Sequence, residues 1–216
     1  MSSQFDLDLL VADLQPVRRI KPVEGLALVA SAAAAVALYI VMRYGLRADI
    51  VAGAPEPMVV IRGGMLVLLG TATAFAATAA ARPAVKQSQN GWGWALAAAA
   101  LLPAAAAILY LYHRLTGMPF PPGAFDFRYA PWCLGLGCGG ALLMGSVLTA
   151  WLRRGAPTAL NRAGWLVGLA SGSFGAFAYS LHCPSNSIYY VGIFYSAVVA
   201  ISAVVGRLIV PAAIRW

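Results

Sequence analysis

Residues 163–206 read AGWLVGLASGSFGAFAYSLHCPSNSIYYVGIFYSAVVAISAVVG, in which two long apolar runs, 163–182 and 188–206, flank a short polar break. Each run is close to the roughly 20 mostly apolar residues that a helix needs to cross a bilayer. The break contains no Lys or Arg, although the chain has 15 of them. This stretch therefore predicts two membrane-spanning helices joined by a tight turn.

Four further runs of similar length precede this pair, at 23–42, 63–81, 92–112 and 131–152. The chain of 216 residues is 61% apolar and 10% charged, whereas soluble domains carry about 25% charged residues. Backbone polar groups in lipid must bond within their own segment, so such runs form helices. We predict an all-α integral membrane protein whose residues 23–216 form one domain of six transmembrane helices. The run 23–42 is too long for the apolar core of a signal peptide, so we expect it to be kept.

The basic residues lie between the apolar runs, which argues against a soluble domain that binds nucleic acid. In membrane proteins the cytoplasmic loops carry the excess of Lys and Arg. If the N-terminus is cytoplasmic, ten basic residues fall inside: Arg18, Arg19, Lys21, Arg82, Lys86, Arg153, Arg154, Arg162, Arg207 and Arg215. Five then fall outside: Arg43, Arg47, Arg62, Arg114 and Arg128. This distribution predicts that both termini face the cytoplasm and that the break at 183–187 faces outward.

Residues 1–22 form the only sizeable polar segment on the predicted inner side. The segment combines an apolar stripe at helical spacing, Leu7, Leu10, Val11 and Leu14, with acids elsewhere, Asp6, Asp8 and Asp13. Such a short amphipathic helix needs a surface to lie against. One interpretation is a helix resting on the membrane, and the other is a helix docked in a partner's groove. The acids favour the partner, because helices at membrane surfaces prefer Lys and Arg on their polar face.

Two of the three cysteines fall at the predicted outer side of the membrane. Cys133 begins the fourth run and Cys183 follows the fifth, whereas Cys138 lies deeper in the fourth run and fits a small buried apolar residue. The outer face of a bacterial inner membrane is oxidising and permits disulfides. A sensor, a structural bridge and an incidental pair of thiols all remain open.

Both histidines end apolar runs at the same predicted side, His113 after the third run and His182 after the fifth. Together with Cys133 and Cys183 they are candidate ligands for a transition metal, because imidazole and thiolate suit such ions. The signal is weak, since the chain has no CxxC or HxxxH spacing. We expect no bound cofactor.

Glycines recur every four residues in the fourth and fifth runs, at Gly135 and Gly139 and at Gly164, Gly168 and Gly172. Small residues at this spacing let helix backbones approach closely in lipid. We therefore expect helices 4 and 5 to pack against each other through these positions. Pro103 is expected to kink helix 3.

Catalytic and transport signatures are missing from the sequence. The apolar runs hold no deep carboxylate of the kind that ion-coupled transporters use, and no phosphate loop or catalytic triad pattern is visible. The protein is therefore expected not to be an enzyme. The alternatives from other classes are a thiol-redox membrane enzyme, which would need a paired reactive thiol motif, and a small transporter.

Three stretches together resemble one family. The first is the N-terminal DLLVADLQPVRRIKP, the second is the pair WCLGLG and LRRGAPT, and the third is YSLHCP with the terminal RW. They resemble bacterial anti-sigma factors of the NrsF-like type, which are negative regulators of sigma F. The likeness is dense over residues 131–216 and clear over residues 5–22. Over residues 23–130 only the hydropathy pattern and the number of helices agree. Departures are Ser185 and Asn186 after Pro184, where relatives often have acids, and the additional Cys138.

The resemblance implies a six-helix regulator of the bacterial inner membrane. It would hold an extracytoplasmic-function sigma factor there and release it on a periplasmic metal or oxidative signal. Cys133 and Cys183 match the cysteines thought to sense that signal, and His182 adjoins the second. The segment 1–22 would bind the sigma factor through Leu7, Asp8, Leu10, Val11, Asp13, Leu14 and Val17. The loop with Arg153 and Arg154 either fixes orientation or forms part of a docking surface, and the oligomeric state stays open.

Overall fold

The computed structural model describes residues 21–81 and 93–215, and within these residues every regular element is helical. Six long helices account for most of them: α1 (Pro22–Tyr44), α2 (Pro57–Ala79), α3 (Gly93–Thr116), α4 (Ala130–Leu152), α5 (Leu160–Ser180) and α6 (Ile188–Ala213). One helical turn, Ala48–Val51, lies between α1 and α2. The expected N-terminal amphipathic helix, with its sigma-binding residues, lies outside the described residues, as do Arg82 and Lys86.

Helix boundaries lie within four residues of the apolar runs except at the start of α2, six residues before the expected position 63, and at the end of α6. Pro57 occupies the first turn of α2, where its fixed φ suits a helix and its missing N–H removes no bond. The expectation that Arg62 belongs to an outer loop is therefore wrong, because Arg62 lies inside α2 and is fully buried. The helix α6 also continues past 206, to Ala213, and includes a π-helical stretch at Val191–Tyr195.

The helix α5 forms the centre of the bundle, with α2, α4 and α6 packed around it. Its side chains are buried along nearly the whole length, from Ala163 to Ser180. A methyl group at Gly164 would lie 2.8 Å from the carbonyl oxygen of Gly206, so the backbones of α5 and α6 are in direct contact. Gly168 makes the same kind of contact with the Ser202 carbonyl oxygen, and Gly172 lies against the Val199 backbone and the Ser202 side chain. The expected glycine spacing in α5 therefore serves packing against α6.

The helices α4 and α5 do pack together, but not through the glycines that the sequence indicated in α4. Gly135 and Gly139 are exposed, with no atom near enough to touch an added methyl group. The close approach instead involves Gly137 and Gly140, which face Gly175 of α5. The expected role of Gly135 and Gly139 is therefore wrong, because the buried face of α4 is set by its rotation about the helix axis, which a four-residue spacing does not reveal.

Five of the six helices are long and apolar enough to cross a membrane, and α5 is the one that falls short. Neighbouring helices cover α5, so its surface can be built from Gly and Ser, whereas helices that face lipid need long apolar side chains. The outer surfaces supply them: Leu68 is 69% exposed and Leu142 is 61% exposed. So much exposed apolar surface fits lipid as the surrounding solvent.

Contacts along the bundle define two ends. Arg47, Arg62, Cys133 and Cys183 lie together at one, which we call the Cys183 end. At the opposite end, which we call the Arg153 end, Gly25 of α1 lies against Thr78 and Trp151, and Gly164 lies against Pro211. The described chain therefore starts and finishes at the Arg153 end.

Candidate functional site

The thiols of Cys133 and Cys183 lie in one buried cluster at the Cys183 end. Both residues are 0% exposed, and they are close enough to interact electrostatically. Cys133 is held in the first turn of α4. Cys183 lies three residues after the end of α5, with its N–H bonded to the Tyr179 carbonyl at 3.1 Å. All three cysteines are free, and Cys138 lies outside this cluster's buried centre, half-buried on α4. The fold thus brings together two free thiols that are 50 positions apart in sequence.

Three tyrosines surround the two thiols. Tyr179 comes from the end of α5, and Tyr190 and Tyr195 come from the start of α6. The Tyr179 hydroxyl donates to the Tyr129 carbonyl at 3.3 Å, which ties the end of α5 to the residue that precedes α4. Tyr190 and Tyr195 pack against each other with ring centroids 6.2 Å apart. The thiols are therefore enclosed by aromatic rings and by hydroxyl groups.

Arg62 extends from α2 into the end of α5. It donates to the carbonyl oxygens of Ser180 at 3.3 Å and Cys183 at 3.1 Å, and also to that of Ser185. Its guanidinium lies over the Tyr195 ring, with the central carbon 5.2 Å from the ring centroid. The last carbonyls of a helix lack partners within it and carry its negative dipole end, so a guanidinium is well suited to them.

Arg47 holds the same loop from the α1 side. Its guanidinium donates to the Cys183 carbonyl and, at 3.1 Å, to the Asn186 side chain, while its backbone N–H donates to the Leu181 carbonyl at 3.1 Å. Asp49 pairs with Arg47 at 2.9 Å. The hydrogen bond from Arg47 and a second one from the Glu56 backbone N–H hold the pKa of Asp49 well below its usual range. Arg47 is therefore fixed by an ionised partner.

The loop 183–188 runs between two open clefts. Pro184 and Asn186 contribute to both. One cleft, of about 630 Å³, also contains the pair Asp126 and Arg128; the other, of about 540 Å³, also contains Asp49. The hydrogen bond from Arg128 lowers the pKa of Asp126, and Asp126 raises that of Arg128. Small molecules in these clefts would meet the loop backbone before they meet the buried thiols.

The two histidines lie in different aromatic groups. The His182 ring nitrogen Nδ1 lies 3.1 Å from the Gly45 carbonyl, and its ring packs on Tyr44. His113 stacks on Phe120, with centroids 5.0 Å apart. Over residues 21–81 and 93–215, no three His, Cys, Asp or Glu side chains converge as a metal site would require. His113 is therefore not brought to the thiols.

A family model described as negative regulator of sigma F matches residues 10–216. The chain belongs to this family. A "Probable anti-sigma-F factor NrsF" from Azospira oryzae is 38% identical over 61 residues, which cover 28% of this chain and 29% of that protein. No solved structure matches.

At the Arg153 end, this member of the family presents exposed cations on the α4–α5 loop. Arg153 and Arg154 are exposed, and the Ala156 N–H donates to the Ala81 carbonyl at 3.2 Å, which ties the loop to the end of α2. The sequence predicted these arginines as a docking loop, and they remain candidates. The sigma-binding residues expected within 1–22 lie outside the described residues.

Arg47 and Arg62 are the site residues that the sequence analysis missed, because it counted them only as outer charges. One signal was available for Arg62. The pair Glu56–Pro57 is a helix start, and a helix starting there places Arg62 in its second turn. An arginine inside a membrane helix is costly and therefore indicates a functional position. Arg47 has no comparable signal, since its partners in the Cys183 loop lie 136 and 139 positions away.

Proposed function

We propose that the protein holds an extracytoplasmic-function sigma factor at the bacterial inner membrane and releases it on a periplasmic metal or oxidative signal. The observation that carries this proposal is the placement of two thiols in one buried cluster at the end of the bundle opposite its termini. Membership of the negative-regulator family supports the sigma factor as partner. A regulator of this kind needs one site for the signal and another for the partner, and in this proposal the two lie at opposite ends of the bundle.

The proposed topology has six crossings with both termini in the cytoplasm. The helix α5 supports six rather than five, because it lies antiparallel between α4 and α6 over its full length. Its early residue Gly164 meets Gly206, and its late residue Gly175 meets Gly137. The exposed Arg153 and Arg154 support a cytoplasmic Arg153 end, since such loops carry excess Arg and Lys. The Cys183 end would then face the periplasm.

The sigma factor would be held by the segment 1–22. Its apolar stripe, with Val17, would enter a groove on the partner, and each fully buried aliphatic side chain would contribute roughly 1.5–3 kcal/mol. Asp8 and Asp13 would face basic residues of the sigma factor and set its orientation. Arg153 and Arg154 lie at the end of the bundle where α1 begins, which supports their contacting the same partner.

The signal would act on Cys133 and Cys183 and be carried by α5. A change at the thiols alters the loop that follows α5, and α5 contacts the α6 backbone down to Gly164 and Gly206. Close-packed helices transmit a shift rather than absorb it. His182 adjoins Cys183 at the edge of the cluster and would respond to the same change. A metal would have to be bound through the two cysteines, because within the described residues neither His182 nor His113 converges with them as a third ligand.

Co-purification from native membranes tests the partner. Leu10→Asp together with Leu14→Asp should reduce the sigma factor recovered with the protein at least tenfold, because two charges would enter the apolar contact. The matched control is Leu9→Asp with Ala12→Asp, which adds the same charges off the stripe. Recovered sigma factor is measured by mass spectrometry at equal membrane protein. Equal recovery from the stripe variant and the control would remove the segment from the binding site.

A further inference from the structure

Three buried polar groups around the thiols have no hydrogen-bond partner in the described part of the chain. They are Nε of Arg62 and the hydroxyls of Tyr190 and Tyr195. All three residues are 0% exposed. Buried polar groups are almost always bonded, so a buried group without a protein partner is a candidate for a functional role. Three such groups in one cluster call for a common explanation.

These groups lie beside the sulfur atoms. The Tyr190 hydroxyl lies within reach of the Cys133 sulfur and the Tyr195 hydroxyl within reach of the Cys183 sulfur, although neither makes a well-formed hydrogen bond, and Arg62 interacts electrostatically with Cys133. Arg62 itself lies over the Tyr195 ring. A thiol sulfur is only a weak hydrogen-bond acceptor, so a reduced cysteine satisfies a neighbouring hydroxyl poorly. An oxygen atom attached to sulfur would be a strong acceptor at the same place.

The charge of the cluster points to an anionic oxygen. The hydrogen bonds that Arg62 makes within the described residues all go to backbone carbonyls, of Ser180, Cys183 and Ser185. A buried cation that meets only neutral dipoles is stabilised by a nearby negative charge. A hydrogen bond from a charged donor to an anionic oxygen is also stronger than one between neutral groups.

We propose that Arg62, Tyr190 and Tyr195 receive the oxygen of a cysteine sulfenate, and that Cys183 is the residue so modified. This inference rests on the proposed sensing function and names its chemistry as oxidation by a hydroperoxide. Cys183 is assigned because its loop runs between the two clefts, whereas Cys133 lies within α4. Cys138 lies outside the buried centre of this cluster, on the wall of a mostly apolar pocket between α4, α5 and α6.

The proposed reaction has two balanced steps. The Cys183 sulfur attacks the terminal oxygen of the hydroperoxide; an S–O bond forms, the O–O bond breaks, and the alkoxide, or hydroxide from hydrogen peroxide, leaves with the thiol proton as an alcohol or water. The sulfenic acid so formed gives its proton reversibly to water, which leaves the sulfenate. Sulfur loses two electrons and the peroxide gains them. The Cys133 thiol then attacks the Cys183 sulfenic acid; an S–S bond forms, and the oxygen departs as water with the Cys133 proton. Tyr190 lies beside Cys133 and positions it for the second step.

The test traps the sulfenate in a chain where it cannot condense. Cys133→Ser with Cys138→Ser leaves Cys183 as the single thiol, and membranes are treated with hydrogen peroxide and a cyclic diketone probe that reacts with sulfenates. We expect labelled Cys183 in this parent and at least fivefold less after Tyr195→Phe, which removes only a hydroxyl. Tyr189→Phe, which alters the neighbouring ring packed on Phe125, is the matched control and should label like the parent. Arg62→Lys should restore part of the label lost in Arg62→Met.

A second readout separates a chemical role from a structural one. The rate at which iodoacetamide alkylates Cys183 without peroxide should be the same in the parent and in Tyr195→Phe, because the loop is unchanged. Equal sulfenate labelling of the parent, Tyr195→Phe and Tyr190→Phe would overturn the proposal. So would a parent in which peroxide removes the free Cys183 thiol but the probe traps no sulfenate. Neither readout involves the sigma factor, so loss of sigma binding would count against the proposed function alone.

Discussion

At the scale of single residues, the Cys183 loop is held by arginines that bond to its backbone. Arg62 and Arg47 both donate to the Cys183 carbonyl, and each also binds a second point of the loop, Ser185 or Asn186. Breaking a buried hydrogen bond and leaving its partner unpaired costs about 1–3 kcal/mol. The burial of the thiols therefore depends on two guanidinium groups as well as on apolar packing.

Replacing Arg47 by Gln should open the loop, since Gln cannot span Asp49, Asn186 and the Cys183 carbonyl at once. We expect alkylation of Cys183 by a membrane-impermeant maleimide to become at least tenfold faster, measured in a Cys133→Ser, Cys138→Ser background. Arg128→Gln is the matched control, because Arg128 is an exposed arginine in an ion pair at the same end. An Arg47→Gln rate equal to that control would show that packing alone keeps the loop closed.

The Arg47–Asp49 pair also determines how the access of reagents to Cys183 depends on pH. Because Arg47 holds the folded pKa of Asp49 below its usual value of about 3.9, the pair contributes stability above that pH. That contribution is lost only as pH falls through the lower, folded value. Alkylation of Cys183, corrected for the reagent's own pH dependence, should therefore give the same Arg47→Gln to parent ratio at pH 5.5 and pH 7.5.

At the scale of helices, α5 shows how burial changes what a membrane helix needs. Its Gly and Ser content would suit a helix in water poorly and one in lipid only moderately, yet almost every residue from Ala163 to Ser180 is covered by α2, α4 or α6. Small residues allow the backbones to come close, which is the main source of helix association in lipid. The packing of α5 therefore depends on single glycines.

Gly168→Ala should destabilise the bundle, because the added methyl group would meet the Ser202 carbonyl oxygen and the Ala203 backbone. Overpacking of this kind costs about 1–3 kcal/mol. Gly139→Ala is the control: it makes the same change on α4 where nothing lies within 4 Å. Thermal unfolding in detergent should give a lower midpoint for Gly168→Ala and an unchanged or higher one for Gly139→Ala. The reverse order would contradict the contact between α5 and α6.

At the scale of the whole molecule, the two ends of the bundle differ in what they present. The Cys183 end carries the thiols, three tyrosines and two arginines that bond to the loop between α5 and α6, whereas the Arg153 end carries exposed cations and both termini of the described chain. Signal and partner sites at opposite ends can be coupled by helices that run between them. This arrangement makes the crossing of α5 decisive for the proposed function.

Reporter fusions test that crossing directly. Alkaline phosphatase, which is active only in the periplasm, should be inactive when fused after Gly155 and active when fused after Ser185, because α5 lies between the two points. A fusion after Gly117 should be active and serves as the reference for the outer side. Equal activity after Gly155 and Ser185 would mean that α5 does not cross and would overturn the six-helix topology.

The sequence by itself determined which segments become helices and that most of them suit lipid, because those properties depend on the length and composition of continuous runs. It also indicated both cysteines, since each adjoins a charge-free break or a helix start. It did not determine which face of each helix is buried. Gly139 and Gly140 are neighbours of the same type, yet one is exposed and the other packs on α5.

Only the tertiary structure decided that Arg62 and Arg47 bind the Cys183 loop. Their partners lie more than 100 positions away, so no local pattern of the chain connects them. The same reason explains the three unpaired donors beside the thiols, which come from α2 and α6 while the thiols come from α4 and the end of α5. Local propensity builds helices, but a buried polar cluster exists only once those helices have packed, because its members share no stretch of sequence.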